Sequence, residues 1–379
     1  MGDYVRQMPE ASADLARRPG VAERLHVDIP LLLLLMAVTV YGLVVLYSAG
    51  GQDFSAVWRQ AGFFTVAYVI MLMAAQFSLQ SYQRWAPALY LVGIGLLLAV
   101  LMYGSGAKGA QRWLSLGGFR FQPSEIMKIL VPLTMASFFS ARVLPPKFRY
   151  ILLSLFILGL PAMLVIRQPD LGTALLIASS GLFVLFMAGI SWGFILAACV
   201  AAIASAWPAW IYVLHDYQRQ RILTLLNPER DKLGAGWNII QSKTAIGSGG
   251  WSGKGWLNGT QSQLDFLPES HTDFIIAVLA EEFGLRGVLL LLALYTLIVM
   301  RGLWIGMHAQ SSFSRLVAAS LTLTFFVYVF VNMGMVSGLL PIVGVPLPLV
   351  SAGGTSIVAL MAGFGILMAV STEKRTVGP

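Results

Sequence analysis

Three groups of ionisable residues sit in or beside long apolar runs: Glu125 with Lys128, Asp273, and Glu281 with Glu282. Charge at membrane depth is costly, and each such residue is by default a functional hypothesis. Glu125 and Lys128 are three apart and share one helix face. They follow Gln122-Pro123-Ser124, in which Pro is a good helix opener. One reading is a structural ion pair that makes each charge tolerable. The other is a pair that lines a cavity and contacts an anionic, lipid-linked substrate, and both can hold. Asp273 ends Ser270-His271-Thr272-Asp273, where a polar stretch meets an apolar one. Ser270-x-x-Asp273 has capping-box spacing, so Asp273 can be read as a helix start and nothing more. It can also be read as a general base. A helix N-terminus lowers a carboxyl pKa, desolvation raises it, and the balance decides its basicity. Glu281 lies eight residues on, roughly 12 Å deeper and about 80° around a continuous helix. It is therefore predicted to face the same cavity, with Glu282 turned away into helix–helix pairing.

Other patterns carry no chemistry. Ser248-Gly249-Gly250-Trp251-Ser252-Gly253-Lys254-Gly255 lacks the first Gly and the Ser/Thr after Lys of a phosphate loop. Ser124 and Lys128 are four apart, which is not Ser-x-x-Lys acylation spacing. His26, His215, His271 and His308 are scattered without zinc spacing. Asn258-Gly259-Thr260 fits a glycosylation sequon that chance also produces.

These residues must be held by membrane helices. Of 379 residues, 57% are hydrophobic and only 11% charged, and the mean hydropathy is +0.76. Ordinary soluble domains carry about 25% charged residues. Spans of roughly 20 apolar residues are predicted near 29–48, 60–77, 86–103, 125–141, 150–166, 171–189, 192–213, 274–299, 315–337 and 353–371. The fold class expected is an all-α integral membrane protein, a polytopic bundle of about ten transmembrane helices with one long loop, about 214–272. Residues 1–28 form an N-terminal tail, 29–371 the transmembrane domain and 372–379 a C-terminal tail. Tight joints at Arg167-Gln168-Pro169-Asp170 and Gly189-Ile190-Ser191 carry the Pro and Gly of chain breaks. Lys and Arg concentrate in the two tails and in alternate loops, at Arg84, Arg142, Lys147, Arg149, Arg301 and Arg315. By the positive-inside rule both termini are cytoplasmic and the long loop faces out. Residues 1–27 are polar, and the run from Ile29 is too long for a signal core and lacks an A-x-A-like site. The formal charge of +8 would suit nucleic acid, but the basic residues sit between apolar runs rather than on a soluble basic domain. Cys199 stands alone, so no internal disulfide is available. From Gly338 to Gly354 the chain is apolar, yet Pro341, Pro346 and Pro348 forbid a regular helix. It is either an interfacial loop or a segment that returns into the bundle, where broken backbone is tolerated beside a cavity.

Longer motifs carry a resemblance. Asn227-Pro228, Gly234-Ala235-Gly236-Trp237-Asn238, Gln241-Ser242, Gly247 to Gly255, Gly259-Thr260-Gln261-Ser262 and Leu267 to Phe274 follow one another in an order that resembles SEDS proteins (shape, elongation, division and sporulation). Support comes from Arg112-Trp113, Gln122-Pro123-Ser124-Glu125, Gln168 to Thr173 and Pro348 to Ser356. The match covers nearly the whole chain beyond the N-terminal tail, and its wording is closer to the elongation branch than to the division branch. Ser270 stands where that branch often has Arg, and Ala352 where Tyr is common. The resemblance implies a peptidoglycan glycosyltransferase that polymerises lipid II at the outer face of the bacterial cytoplasmic membrane, with Asp273 essential. It implies a class B penicillin-binding protein transpeptidase as partner, alongside other elongation-complex proteins and membrane lipid. It also implies a divalent cation, Mg or Mn, for which no ligand cluster is legible.

In such a reaction Asp273 would take the proton of an acceptor 4-hydroxyl while a pyrophosphate departs. Cations fixed at low dielectric stabilise that leaving charge best. Lys128 is the first candidate, then Arg112, Arg219, Arg221 and Lys243, with His271 and Glu281 completing the substrate-binding set. Trp113, Trp237 and Trp256 could stack on sugars or anchor at the interface. The competing classes are a lipid II flippase and a non-catalytic scaffold. A flippase needs a polar route to the cytoplasmic face, whereas the polar residues here crowd the outer half.

Overall fold

The computed structural model describes residues 25–107, 110–116, 119–214, 216–231, 234–264, 266–267 and 269–373. Most of the two tails, 1–24 and 374–379, lies outside the described residues, as do Lys108, His215 and Pro268.

Each apolar run becomes a helix because lipid offers the backbone no partner and the helix satisfies it internally. The long helices are α1 (Ile29–Ala49), α2 (Phe54–Gln76), α3 (Leu79–Tyr103), α4 (Pro123–Ser140), α5 (Phe148–Arg167), α6 (Leu171–Met187) and α7 (Trp192–Pro208). In the long loop come α8 (Asp216–Leu226), α9 (Ala235–Gly249) and α10 (Thr260–Gln263), then α11 (Ile275–His308), α12 (Ser312–Val336) and α13 (Thr355–Ser371). Six of them, α1, α2, α3, α5, α11 and α12, are long and apolar enough to cross a membrane, and α6, α7 and α13 are shorter apolar helices. The chain is a polytopic helical membrane protein. Starts are capped by side chains: Asp28 accepts from the Leu31 amide at 3.0 Å and Asp170 from the Thr173 amide at 3.2 Å.

In lipid, helices associate through close packing and interhelical hydrogen bonds rather than through water exclusion. Ser320 donates to the Ser180 carbonyl at 2.7 Å, joining α12 to α6. Tyr90 reaches Ile157 at 2.8 Å and Thr134 reaches Ala86 at 3.1 Å, joining α3 to α5 and to α4. Leu33 and Val40 of α1 stay exposed while Leu35 and Val38 are fully buried, as expected where one face meets lipid. None of the residues of α7 is buried. At the end that holds the chain termini, Arg301 of α11 grips Asp28 at 2.7 Å and Ser371 of α13 donates to the same carboxylate. Burial pushes the Asp28 carboxyl up, but Arg301, Ser371 and the Leu31 amide outweigh it and hold the group below the ordinary value.

Three features were not foreseen. Three short strands, β1 (Ser105–Ala107), β2 (Ala110–Leu116) and β3 (Phe119–Phe121), pair antiparallel in the order β1-β2-β3, with Leu114 opposite Phe121. The long loop carries the helices α8, α9 and α10 rather than plain coil. The predicted continuous span 274–299 is broken at Gly284, whose φ of 65° and ψ of −163° are not helical. Only glycine occupies that region at low cost. A Cβ at Gly284 would also collide with the Gly253 amide nitrogen. Residues 275–283 are therefore a separate short rod, buried from Ile275 to Glu282. The proline-rich segment does return into the bundle. Leu347, Leu349 and Val350 are buried, Tyr295 donates to the Pro348 carbonyl at 2.6 Å, and a Cβ on Gly42 of α1 would lie 2.7 Å from the Leu349 carbonyl.

Gly284→Ala is expected to cost about 1–3 kcal/mol from backbone strain alone, with the collision added. Thermal unfolding of the purified protein in detergent checks this. An unchanged midpoint would mean the break at Gly284 is not a fixed feature of the fold.

Candidate active site

A cavity of about 230 Å³ opens among β2, α4, α6, α12, the turn before α11 and the re-entrant segment. Its polar wall is Arg112, Gln122, Asp170 and Thr173. The facing wall is Thr272 and Asp273 with Gly344 to Pro346 and Ala352 to Ser356. Glu125, Lys128 and Tyr328 close the space between them.

The charges are held in pairs. Lys128 Nζ lies 2.6 Å from Glu125 Oε2 and also donates to the Tyr328 hydroxyl, over whose ring it sits at 4.6 Å. Both side chains are almost fully buried, so the structural and the cavity-lining readings of this pair hold together. Arg112 lies 3.6 Å from Asp170 and donates to the Pro169 carbonyl at 2.7 Å. Asp170 caps α6, takes the Thr173 hydroxyl at 2.9 Å and takes the Gln122 amide at 3.2 Å. The cavity thus contains two cations, Arg112 and Lys128, and three carboxylates, Glu125, Asp170 and Asp273.

Asp273 is placed by its backbone and its neighbours' backbones. Asn332 donates to the Asp273 carbonyl at 2.9 Å, Ser351 to the Thr272 carbonyl at 2.5 Å, and the Ala352 amide to the His271 carbonyl at 2.9 Å. Asp273 Oδ2 would be 3.6 Å from a Cβ built on Gly344, so the bare glycine sets the wall it faces. The capping box is not formed. The helix starts at Ile275 with Phe274 as its cap residue, and the Ser270 hydroxyl bonds to the Ala49 carbonyl at 3.2 Å.

Of the residues singled out from sequence, Asp273, Glu125, Lys128, Arg112 and Trp113 line this one cavity. Arg219, Arg221, Lys243, His271 and Glu281 do not line it. Arg219 donates to the Ile211 carbonyl at 2.7 Å and pairs with Asp216 at 3.5 Å, tying α8 to the end of α7. Arg221 is half-buried on the same helix, Lys243 lies against Gly338, and the His271 side chain is exposed. The expectation that Glu281 shares the cavity fails because the helix starts only at Ile275: Asp273 lies in the turn before it, so helical spacing does not relate the two side chains. The Glu281 carboxylate turns to residues 254–261 instead, pairing with Lys254 at 2.6 Å. Glu282 accepts from the Ser48 hydroxyl of α1, the interhelix role expected of it. The residues that sequence reasoning missed are Asp170, Gln122, Thr173 and Tyr328. Asp170 had a signal, an ionisable residue between two apolar runs, which was absorbed as a chain break. Tyr328 had none, being one aromatic in an apolar helix. Among the described residues no group of three or more His, Cys, Asp or Glu side chains could hold a metal ion.

Comparison with known proteins agrees with this architecture. The family model for cell cycle proteins of the FtsW, RodA and SpoVE type matches residues 28–376. The peptidoglycan glycosyltransferase MrdB of Escherichia coli (strain K12) is 56% identical over 353 residues, covering 93% of this chain and 95% of that protein. The probable peptidoglycan glycosyltransferase FtsW of Trichlorobacter lovleyi is 38% identical over 368 residues, 92% of this chain and 94% of that one. A solved chain from a peptidoglycan synthase complex that coordinates polymerization and crosslinking superposes with a TM-score of 0.81 at 30% identity, over 91% of this chain and 97% of that one. The rod shape determining protein RodA of Thermus thermophilus gives 0.69 at 27% identity, over 91% and 96%.

Lys128→Met strands the Glu125 carboxylate in a buried site, and removing one partner of such a pair costs about 3–5 kcal/mol. The double change with Glu125→Gln is expected to recover most of the loss. Thermal unfolding of both variants reads this, and a single variant as stable as the parent would show that the pair is solvated.

Proposed function

The chain belongs to the cell cycle protein family of FtsW, RodA and SpoVE and is a peptidoglycan glycosyltransferase, and on that premise we propose that the cavity is where lipid II is polymerised, with Asp273 as general base. The observation that carries this is the convergence of Asp273, Arg112 and Lys128 on one cavity beside apolar helices. Lipid II joins a long apolar tail to a polar head. A membrane bundle can admit the tail sideways while the cavity takes the head.

Asp273 accepts the proton of the acceptor GlcNAc 4-hydroxyl, for which it must come within hydrogen-bond distance. The freed oxygen attacks MurNAc C1 of the donor, and the bond from C1 to undecaprenyl pyrophosphate breaks. One base and a direct displacement give inversion and a β-1,4 link. The pyrophosphate takes the developing negative charge, and Lys128 and Arg112 are the cavity cations positioned to stabilise it. Each is paired with a carboxylate, so stabilisation requires that a pair loosen towards the phosphate. The divalent cation implied by the resemblance finds no ready ligand set among the described residues, and no step is assigned to it.

The chain is an integral inner-membrane protein. Its termini are placed in the cytoplasm and its cavity outside by the Lys and Arg distribution. Similarity to a chain of a synthase complex supports a penicillin-binding protein as partner; its being of class B, in the company of elongation proteins, is part of the proposal.

Two measurements test this. With lipid II, a divalent cation and a class B partner, Asp273→Asn is expected to lower kcat by about 10²–10⁴-fold, the usual worth of a positioned base. Glycan polymer at the parent rate would return Asp273 to a structural role. In a Cys199→Ala background, Gln52→Cys is expected to react with an impermeant maleimide in intact cells, and Gln310→Cys only after permeabilisation. The reverse pattern would invert the topology.

A further inference from the structure

The rod 275–283 follows Asp273 directly, so whatever fixes the rod fixes the carboxylate. At its near end the carbonyls of His271, Thr272 and Asp273 are held by Ala352, Ser351 and Asn332. At its far end the helix breaks at Gly284, whose backbone is not helical. That end is held by the outer loop, together with Ser48 of α1, which donates to Glu282. Glu281 is fully buried, and its carboxylate accepts from Lys254 Nζ at 2.6 Å, the Thr260 amide at 2.8 Å, the Thr260 hydroxyl at 3.0 Å and the Gln261 amide at 3.0 Å. The backbone repeats the connection: the Lys254 amide donates to the Glu281 carbonyl and the Gly255 amide to the Glu282 carbonyl, both at 3.0 Å. Nothing in the cavity needs Lys254, which does not line it.

We propose that Lys254 is a positioning residue for the transferase: through its ion pair with Glu281 it anchors the far end of the rod and so sets the reach of Asp273 into the cavity. This rests on Asp273 acting as the base. Lys254 touches neither the cavity nor Asp273 and acts only through the rod. A displacement of about 1 Å at a reacting group can cost 10²-fold in rate without weakening substrate binding.

The test uses the full chain with its class B partner, lipid II and a divalent cation. Rate constants and amide hydrogen exchange are measured for the parent, Lys254→Met, Lys254→Arg, Lys254→Met with Glu281→Gln, and Asp273→Asn. Lys254→Met is expected to lower kcat roughly 10- to 100-fold with KM within about twofold. Lys254→Arg is expected to recover most of kcat. Exchange should quicken in 273–279 and stay unchanged in α12. The double variant removes the pair without stranding a buried carboxylate, so it judges the proposal if the single variant does not fold. Parent-like kcat in both overturns the positioning role, and loss of activity in Asp273→Asn alone then keeps the base assignment. Exchange that quickens in α12 as much as in 273–279 makes Lys254 merely structural and overturns the proposal. Full activity of Asp273→Asn overturns the base, and the positioning role falls with it.

Discussion

Glu281 and Glu282 are carboxylates with no exposed surface to speak of, in a region where water is scarce. A buried charge without partners is among the costliest features a fold can carry. The outer loop supplies the partners of Glu281, and Ser48 of α1 donates to Glu282. Gly253 approaches the Glu282 carbonyl so closely that a Cβ would collide with it, and Gly249 approaches Ala280 in the same way. The Leu285 and Arg286 amides, freed where the helix breaks, donate to the Gly250 and Trp251 carbonyls at 2.9 and 3.3 Å. The glycine-rich run that does not bind phosphate is thus a backbone splint across the break in α11.

The splint matters because the rod it holds begins two residues after Asp273. Above, the re-entrant segment meets it backbone to backbone, and Gln60 of α2 holds that segment through the Ser351 carbonyl and the Gly353 amide. The carbonyls of this turn are held by the Asn332 and Ser351 side chains and the Ala352 amide.

Electrostatics of the cavity follow the same economy. Each cation is already paired, Lys128 with Glu125 and Arg112 with Asp170. Pairing makes the charges tolerable at membrane depth in the absence of substrate. A pyrophosphate headgroup brings its own negative charge, and competition between it and the resident carboxylates is built into the site. Tyr328, which contacts Lys128, and Gln122, which contacts Asp170, hold the two pairs in register with the walls.

Much of this was legible in order. The run of apolar segments gave a helix at every expected span, because in lipid a long apolar stretch has no other way to satisfy its backbone. Prolines 341, 346 and 348 excluded a regular helix and left two readings, an interfacial loop or a segment that returns into the bundle, and the second is the one observed. Glu125, Lys128 and Asp273 were identified by charge in apolar surroundings, a local property, and Arg112 by its loop motif with Trp113. The break at Gly284, the three strands β1-β2-β3 and the role of Asp170 were not legible. Gly284 is one glycine among 38, and its left-handed backbone is imposed by Gly253 and Trp251, some thirty residues away. Sequence alone determined which residues are too polar for lipid and where helices must run, since both depend on composition within a short window. Which of those residues share a cavity was decided only by tertiary structure: the helix begins at Ile275, so Asp273 sits in the turn before it and Glu281 faces the outer loop instead, because helical spacing holds only between residues that are both on the helix.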